Sequence, residues 1–399
     1  MKNKKFIHLS TVFPQWMAFL LVFILSISLI PTIAFKTNKT TAPAQAAWPT
    51  GVTSFNQAVD MTDGIRRDGN NYYISTATGL NLLSDFKDAP SGVDKKWNEA
   101  WTFYLENDID IDETNRAFRV GKENHQFTGT FDGQGYSITI DNTFTAGLFA
   151  YTKNVVIKNL TIKGYLPSKY GSGAFIEKAS GSVEIINCKN EATIASGRQR
   201  SGCCIGEITG GTNVTIINFT NAGRMVYGSL ESPGMGLIGY IWQSPNLNVN
   251  LINIYVDGLF KSLSSGGLIG YIKPEKNTRI NVSDAAVNVR LVSIRQEEMG
   301  GLIGTIYNPQ AESLTLTFTN CYFNGTGSSY LVPSGGTTTY QGVFDGEHKT
   351  YYPGFDNSKW VTGVNEGTAG LRQFLAIGSL APVNDVESYL VSKGFTKKT

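Results

Sequence analysis

Glu177 and Glu207 are the two carboxylates most suggestive of chemistry in this chain. They stand thirty residues apart in a region that repeats at about that interval. If the interval is one turn of a stacked structure, the carboxyl groups lie about 5 Å apart, as in a retaining glycosidase with one nucleophile and one acid. The same position in later copies is held by Gly239, Gly270 and Gly304, so no column of acids runs through the repeats. A second set is Asp108, Asp110 and Asp112. On a strand these three share one face, where hard oxygen ligands could hold Ca2+. The simpler reading, preferred here, is a solvated outer face opposite inward Ile109 and Ile111, so no cofactor is expected and Ca2+ is the single candidate. Asp132 sits in Phe131-Asp132-Gly133-Gln134-Gly135, which reads as a tight hairpin turn rather than a catalytic acid.

Other reactive types are sparse. The four cysteines are Cys188, Cys203, Cys204 and Cys321, with no Cys-x-x-Cys and no Cys/His metal spacing. Adjacent Cys203 and Cys204 should point to opposite faces of a strand. They read as small inward packing residues, with a disulfide from Cys188 to one of the pair as the alternative. Beyond His8, only His125 and His348 are present, and no His-Glu-x-x-His occurs.

The element that positions these residues is a repeat. Ser265-Gly266-Gly267-Leu268-Ile269-Gly270-Tyr271-Ile272 is echoed by Met299–Ile306 and Gly234–Ile241, and more weakly at Ser201–Gly206, Ser172–Ile176 and Ala146–Ala150. Each copy is short, β-rich and bounded by glycine. A second run follows, such as Asn248–Asn253, then a turn such as Asp257-Gly258 or Asn324-Gly325. Three strands and three turns in roughly 30 residues fit one coil of a parallel β-helix, in which stacking supplies the core. Asn159, Asn187, Asn218, Asn253 and Asn320, with Ser283 in a weak copy, follow the second strand and should form a hydrogen-bonded ladder.

The segments Gly-Gly-Leu-Ile-Gly-Tyr-Ile, Ile-Ile-Asn-Cys or Ile-Ile-Asn-Phe, and Asn-x-Gly resemble the GLUG-type repeats of bacterial surface proteins, over roughly 72–330. Such repeats also stand beside peptidase domains that cleave immunoglobulin A. The resemblance implies an all-β, right-handed parallel β-helix of the pectin-lyase-like kind, and it implies little about function.

The expected organisation is a signal peptide over 1–46, a strand and helix cap over 47–143, coils over 144–330, and a C-terminal cap with two short helices over 331–399. Lys2, Lys4 and Lys5 precede an apolar run from Met17 to Ile30, and Ala44-Gln45-Ala46 offers a cleavage site, in the style of a Gram-positive secretion signal. A retained membrane anchor is the alternative. Residues 1–46 carry five lysines and no acid; without them the formal charge of +2 becomes −3, which argues against nucleic acid as a partner.

Loops before each Gly-Gly should project from one edge, where Arg198, Arg200, Arg295, Glu297 and Glu298 are the polar contacts. Tyr240, Trp242 and Tyr271 offer aromatic faces that can stack on sugars. The preferred function is a secreted, non-catalytic protein for adhesion or for glycan or protein binding at the cell surface. The alternatives are a polysaccharide lyase or hydrolase, and a subunit of an extracellular fibre, with Trp48–Asp63 as an arm for self-association.

Overall fold

The computed structural model describes residues 48–111, 118–141, 147–168, 172–196, 200–227, 233–242, 244–292, 299–307, 314–355 and 386–399. The proposed signal segment and its cleavage site lie outside these. No helix among the described residues is long and apolar enough to cross a membrane. The architecture is a right-handed parallel β-solenoid with about 31 residues per turn.

One interior column defines it. Tyr72, Phe103, Phe131, Ile157, Ile185, Ile216, Leu251, Val282, Phe318 and Tyr340 face one another strand to strand in unbroken parallel register. All but Tyr340 are buried. A second column, Phe149, Ile176, Ile205, Ile238, Ile269 and Ile303, comes from the Gly-Gly copies. Burying one such side chain contributes about 2 kcal/mol. Parallel stacking therefore extends beyond 144–330, from Asn71–Ile74 to Val343–Asp345.

The corner after the second strand turns through a left-handed residue in six successive coils: Asn159, Asn187, Asn218, Asn253, Asp284 and Asn320 all have φ between +51° and +57°. Asparagine tolerates this backbone and its amide can both donate and accept. Asn159 Nδ2 donates to Asp132 Oδ1 at 3.0 Å, Asn187 to Asn159 at 3.2 Å, Asn218 to Asn187 at 2.8 Å, and Asn253 to Asn218 at 2.7 Å. Asn320 donates to Asp284 at 3.2 Å. In the weak copy the corner residue is Asp284 and not Ser283. Ser283 pairs with Ile252 on the strand before the corner.

Asp132 tops this ladder, which revises its environment. Phe127–Asp132 and Ser137–Asp141 do not pair with each other; each pairs with the coils above and below, so the Asp132-Gly133 turn is a solenoid corner and not a hairpin. Asp132 also accepts from Gln134 N at 2.9 Å and lies 3.3 Å from Lys158 Nζ.

At the N-terminal end the helix Ala77–Phe86, capped by Thr76 Oγ1 accepting from Gly79 N, buries Leu80, Leu82, Leu83 and Phe86. The helix Phe55–Asp60 adds Phe55, whose ring lies 4.8 Å from Phe86 and 5.5 Å from Tyr72. Trp48 stacks on Phe86 at 5.8 Å, so this segment closes the first coil and is not a free arm. Near the C-terminus the helix Val386–Ser392 stops at Gly394, with φ +81°. Val386 and Leu390 pack with Ala286, Tyr322 and Phe344, a cluster separate from the solenoid interior. Residues 356–385 of the expected C-terminal cap lie outside the described residues.

All four cysteines are free and buried. Cys203 and Cys204 occupy a bulge between Gly202 and Ile205, which is why both, rather than one, pack into the core. Burial pushes the Cys188 thiol up to about 12. Ellman's reagent should therefore find no reactive thiol in the native chain and four after unfolding; a native reactive thiol would contradict this packing. Asn218→Ala removes two ladder bonds and forces alanine into a left-handed corner. It should cost about 3 kcal/mol in urea unfolding, and Asn218→Gly should recover about 1 kcal/mol of that by relieving the backbone.

Candidate functional site

The Gly-Gly sheet carries a regular outer face. In Ile-Gly-x-Ile the two isoleucines point inward and x points out. Register places Tyr151, Lys178, Glu207, Tyr240, Tyr271 and Thr305 at x in successive coils. Glu207 thus aligns with Lys178, and Glu177 with Gly206, one residue off the alignment read from sequence. The glycine column has a steric cause. A Cβ at Gly239 would lie 2.6 Å from the Ser201 carbonyl carbon, because the segment before each Gly-Gly folds over this position.

The two glutamates are 7% and 4% exposed, and each is held by arginine. Arg119 Nη2 donates to Glu177 Oε2. Arg200 Nη1 donates to Glu207 Oε2 at 2.7 Å, with Lys178 Nζ at 3.7 Å. Burial raises the Glu177 carboxyl above its ordinary value despite Arg119, and the charge of Glu207 adds slightly to the rise. A nucleophile and acid must face substrate; these carboxylates instead face cations of their own chain.

Next to the x column runs a second one: Trp242 opposes Thr209, and backbone bonds from Lys273 N to Ile241 O and from Tyr307 N to Ile272 O continue it. The two columns interlock. Tyr240 and Tyr271 stack at 4.6 Å with planes 3° apart, and Tyr271 and Tyr307 at 6.1 Å. Arg200 lies 5.1 Å from the Tyr240 ring centre, and Lys273 lies 4.0 Å from Trp242 and 5.9 Å from Tyr307. Lys178 stands 5.5 Å from Tyr151. Tyr240 is buried within this stripe; Trp242, Tyr271 and Lys273 are half-buried, and Tyr307 is 52% exposed.

Of the residues expected to bind, Arg200, Tyr240, Trp242 and Tyr271 come together here. Arg198, Arg295, Glu297 and Glu298 lie outside the described residues. Lys178, Lys273 and Tyr307 were missed. Their signal is register: Lys178 holds x in a weak copy, and Lys273 and Tyr307 follow the second isoleucine at the position of Trp242.

Asp108 is drawn to structure rather than metal: its Oδ1 accepts from Ser137 N at 2.7 Å and Ser137 Oγ at 2.9 Å, bonds that hold its carboxyl below the usual range. Asp110 is exposed and Asp112 is outside the described residues. Among the described residues no group of three His, Cys, Asp or Glu is placed to hold a metal ion.

No family model and no curated protein matches the chain. Among solved structures, it is similar to a protein from Bacteroides ovatus proposed to be an immunoglobulin A1 protease, with 18% identity, a TM-score of 0.48, and 69% of this chain and 84% of that chain covered. It is also similar to an IgA1 protease, at 12% identity and a TM-score of 0.47, covering 70% of this chain and 21% of that one. A third is the L. reuteri 53608 SRRP, at 14% identity and a TM-score of 0.25, covering 68% and 98%. At these scores the fold assignment rests on this chain's own strand registers.

Because the folded-state pKa of Glu177 is raised, its contribution to stability is full below the unfolded carboxyl range and is lost as pH rises through the folded value. The thermal midpoint of the native chain should fall across that window. Glu177→Gln, which cannot ionise, should flatten the step, and an unchanged profile would contradict the assignment.

Proposed function

We propose that this is a secreted, non-catalytic β-helix protein of the GLUG-repeat kind that binds glycan chains at the outer face of its Gly-Gly sheet. The observation that carries this is the stripe of Trp242, Tyr271, Lys273 and Tyr307. It is a partly exposed run of aromatic faces and a cation on a rigid sheet. Aromatic rings stack on the C–H faces of sugars, and neighbouring polar tips accept and donate to hydroxyls. Strand-borne side chains hold their spacing, so little ordering entropy is lost on binding. The secretion-like first 46 residues, the low charge and the repeats' resemblance to surface proteins support a place outside the cell, and adhesion through glycans follows from such a place. The non-catalytic part of the reading is supported by the arginine pairing of Glu177 and Glu207.

The test is retention of the purified chain on immobilised plant, microbial and host polysaccharides, together with an assay for new reducing or unsaturated ends. One or more polymers should retain it without being cut. Trp242→Ala and Tyr307→Ala should each weaken retention about fivefold, roughly 1 kcal/mol, with an unchanged thermal midpoint. Cleavage that Glu177→Gln with Glu207→Gln abolishes would replace this reading with a hydrolase or lyase. Retention by none of the polymers would sink it.

A further inference from the structure

A different corner of the solenoid carries a second surface, which does not rest on the aromatic stripe. A groove of about 480 Å³ runs across the turns after the third strand, lined among others by Arg224, Asp257, Leu259, Asn288, Arg290 and Thr326. Met225, Phe260 and Leu291 face one another in consecutive coils, so the residues just before them, Arg224, Leu259 and Arg290, form one column. Thr326 continues it by a bridge to Arg290. The arginines are therefore two coil steps apart, about 10 Å.

Both arginines are exposed, and neither guanidinium has an ion pair or side-chain hydrogen bond among the described residues. Arg119 and Arg200, by contrast, are committed to Glu177 and Glu207, and Arg279, exposed on the same strand as Arg290, lies outside the groove. The acid nearest this column in sequence, Asp257, has its Oδ1 engaged by Asn288 Nδ2 at 3.3 Å. Leu259, half-buried, makes an apolar floor between the two cations.

We propose that this groove binds an acidic glycan in which charged and neutral sugars alternate, lying along the solenoid axis. A guanidinium fork matches a carboxylate oxyanion bidentately. Arg224 and Arg290 each take the carboxylate of one acidic sugar, and the intervening neutral sugar lays its C–H face on Leu259. Asp257, Asn288 and Thr326 meet hydroxyls. The aspartate within the groove and the formal charge of −3 outside the first 46 residues disfavour nucleic acid, which carries charge at every step.

The test uses the full chain and three probes: hyaluronan oligosaccharides, in which uronates alternate with neutral sugars, polygalacturonate, charged at every sugar, and neutral dextran. Hyaluronan should bind tightest, and its binding should weaken as salt rises. Arg224→Ser and Arg290→Ser should each weaken it about tenfold, and Arg290→Lys, which keeps charge but loses the fork, by an intermediate factor. Arg279→Ser, at an exposed arginine of the same strand but outside the groove, should leave hyaluronan binding unchanged. Equal binding of the Arg224→Ser/Arg290→Ser double variant at native thermal midpoint would overturn the proposal. So would equal affinity for polygalacturonate, or retention of dextran alone, or no binding of hyaluronan.

Discussion

Six successive coils, from Asn159 to Asn320, turn a sharp corner after the second strand through a left-handed backbone that most side chains resist. Asparagine meets this constraint while joining its neighbours above and below, from Asp132 through Asn159, Asn187 and Asn218 to Asn253. A column of donors and acceptors in one plane fixes which residue stands over which. A slip of one residue in any coil would break two ladder bonds and turn the inward isoleucines to solvent. The interior column from Tyr72 to Phe318 depends on that fixed register as much as it supports it.

The repeating coil was legible in the sequence because its strong copies share spacing, glycine and asparagine at once. Misreadings arose where a copy is weak or where pairing is between coils rather than along the chain. Ser283 stands where the asparagines lead one to look, yet the corner is Asp284, whose carboxylate accepts where an amide would do both. Asp132-Gly133 has the composition of a hairpin because solenoid corners and hairpins need the same backbone. The Cys203-Cys204 bulge adds a residue to its coil, and that addition shifts the apparent position of whatever follows, including Glu207. This one-residue offset places Glu207 opposite Lys178 and Glu177 opposite Gly206, so the two carboxylates are not register partners as sequence spacing suggested.

The same offset explains the character of the outer face. From Gly206 onward the folded-over segment leaves no room for a side chain at the glycine position, so in the later coils the polar chemistry is concentrated at x and two residues beyond. Lys178, Glu207 and Arg200 neutralise one another at one end of the stripe. Toward the other end no carboxylate occupies x, and Lys273 rests on Trp242 and Tyr307 instead. A cation held on aromatic faces keeps its charge available to a ligand in a way that an ion-paired cation does not. The asymmetry leaves the later coils as the part of this face where rings and a cation are not tied to a carboxylate.

Because backbone pairing spaces the coils, side chains on either surface can only be set at multiples of one coil step along the axis. The spacing of outward rings, forks and hydroxyls can therefore change by which coil bears them, with no change in the backbone. The x position tolerates tyrosine, lysine, glutamate and threonine in this single chain, while the glycine beside it and the asparagine at the corner recur. Inward positions vary only among apolar side chains, whereas outward positions vary in charge and polarity, so the chemistry of the face changes while the scaffold stays fixed.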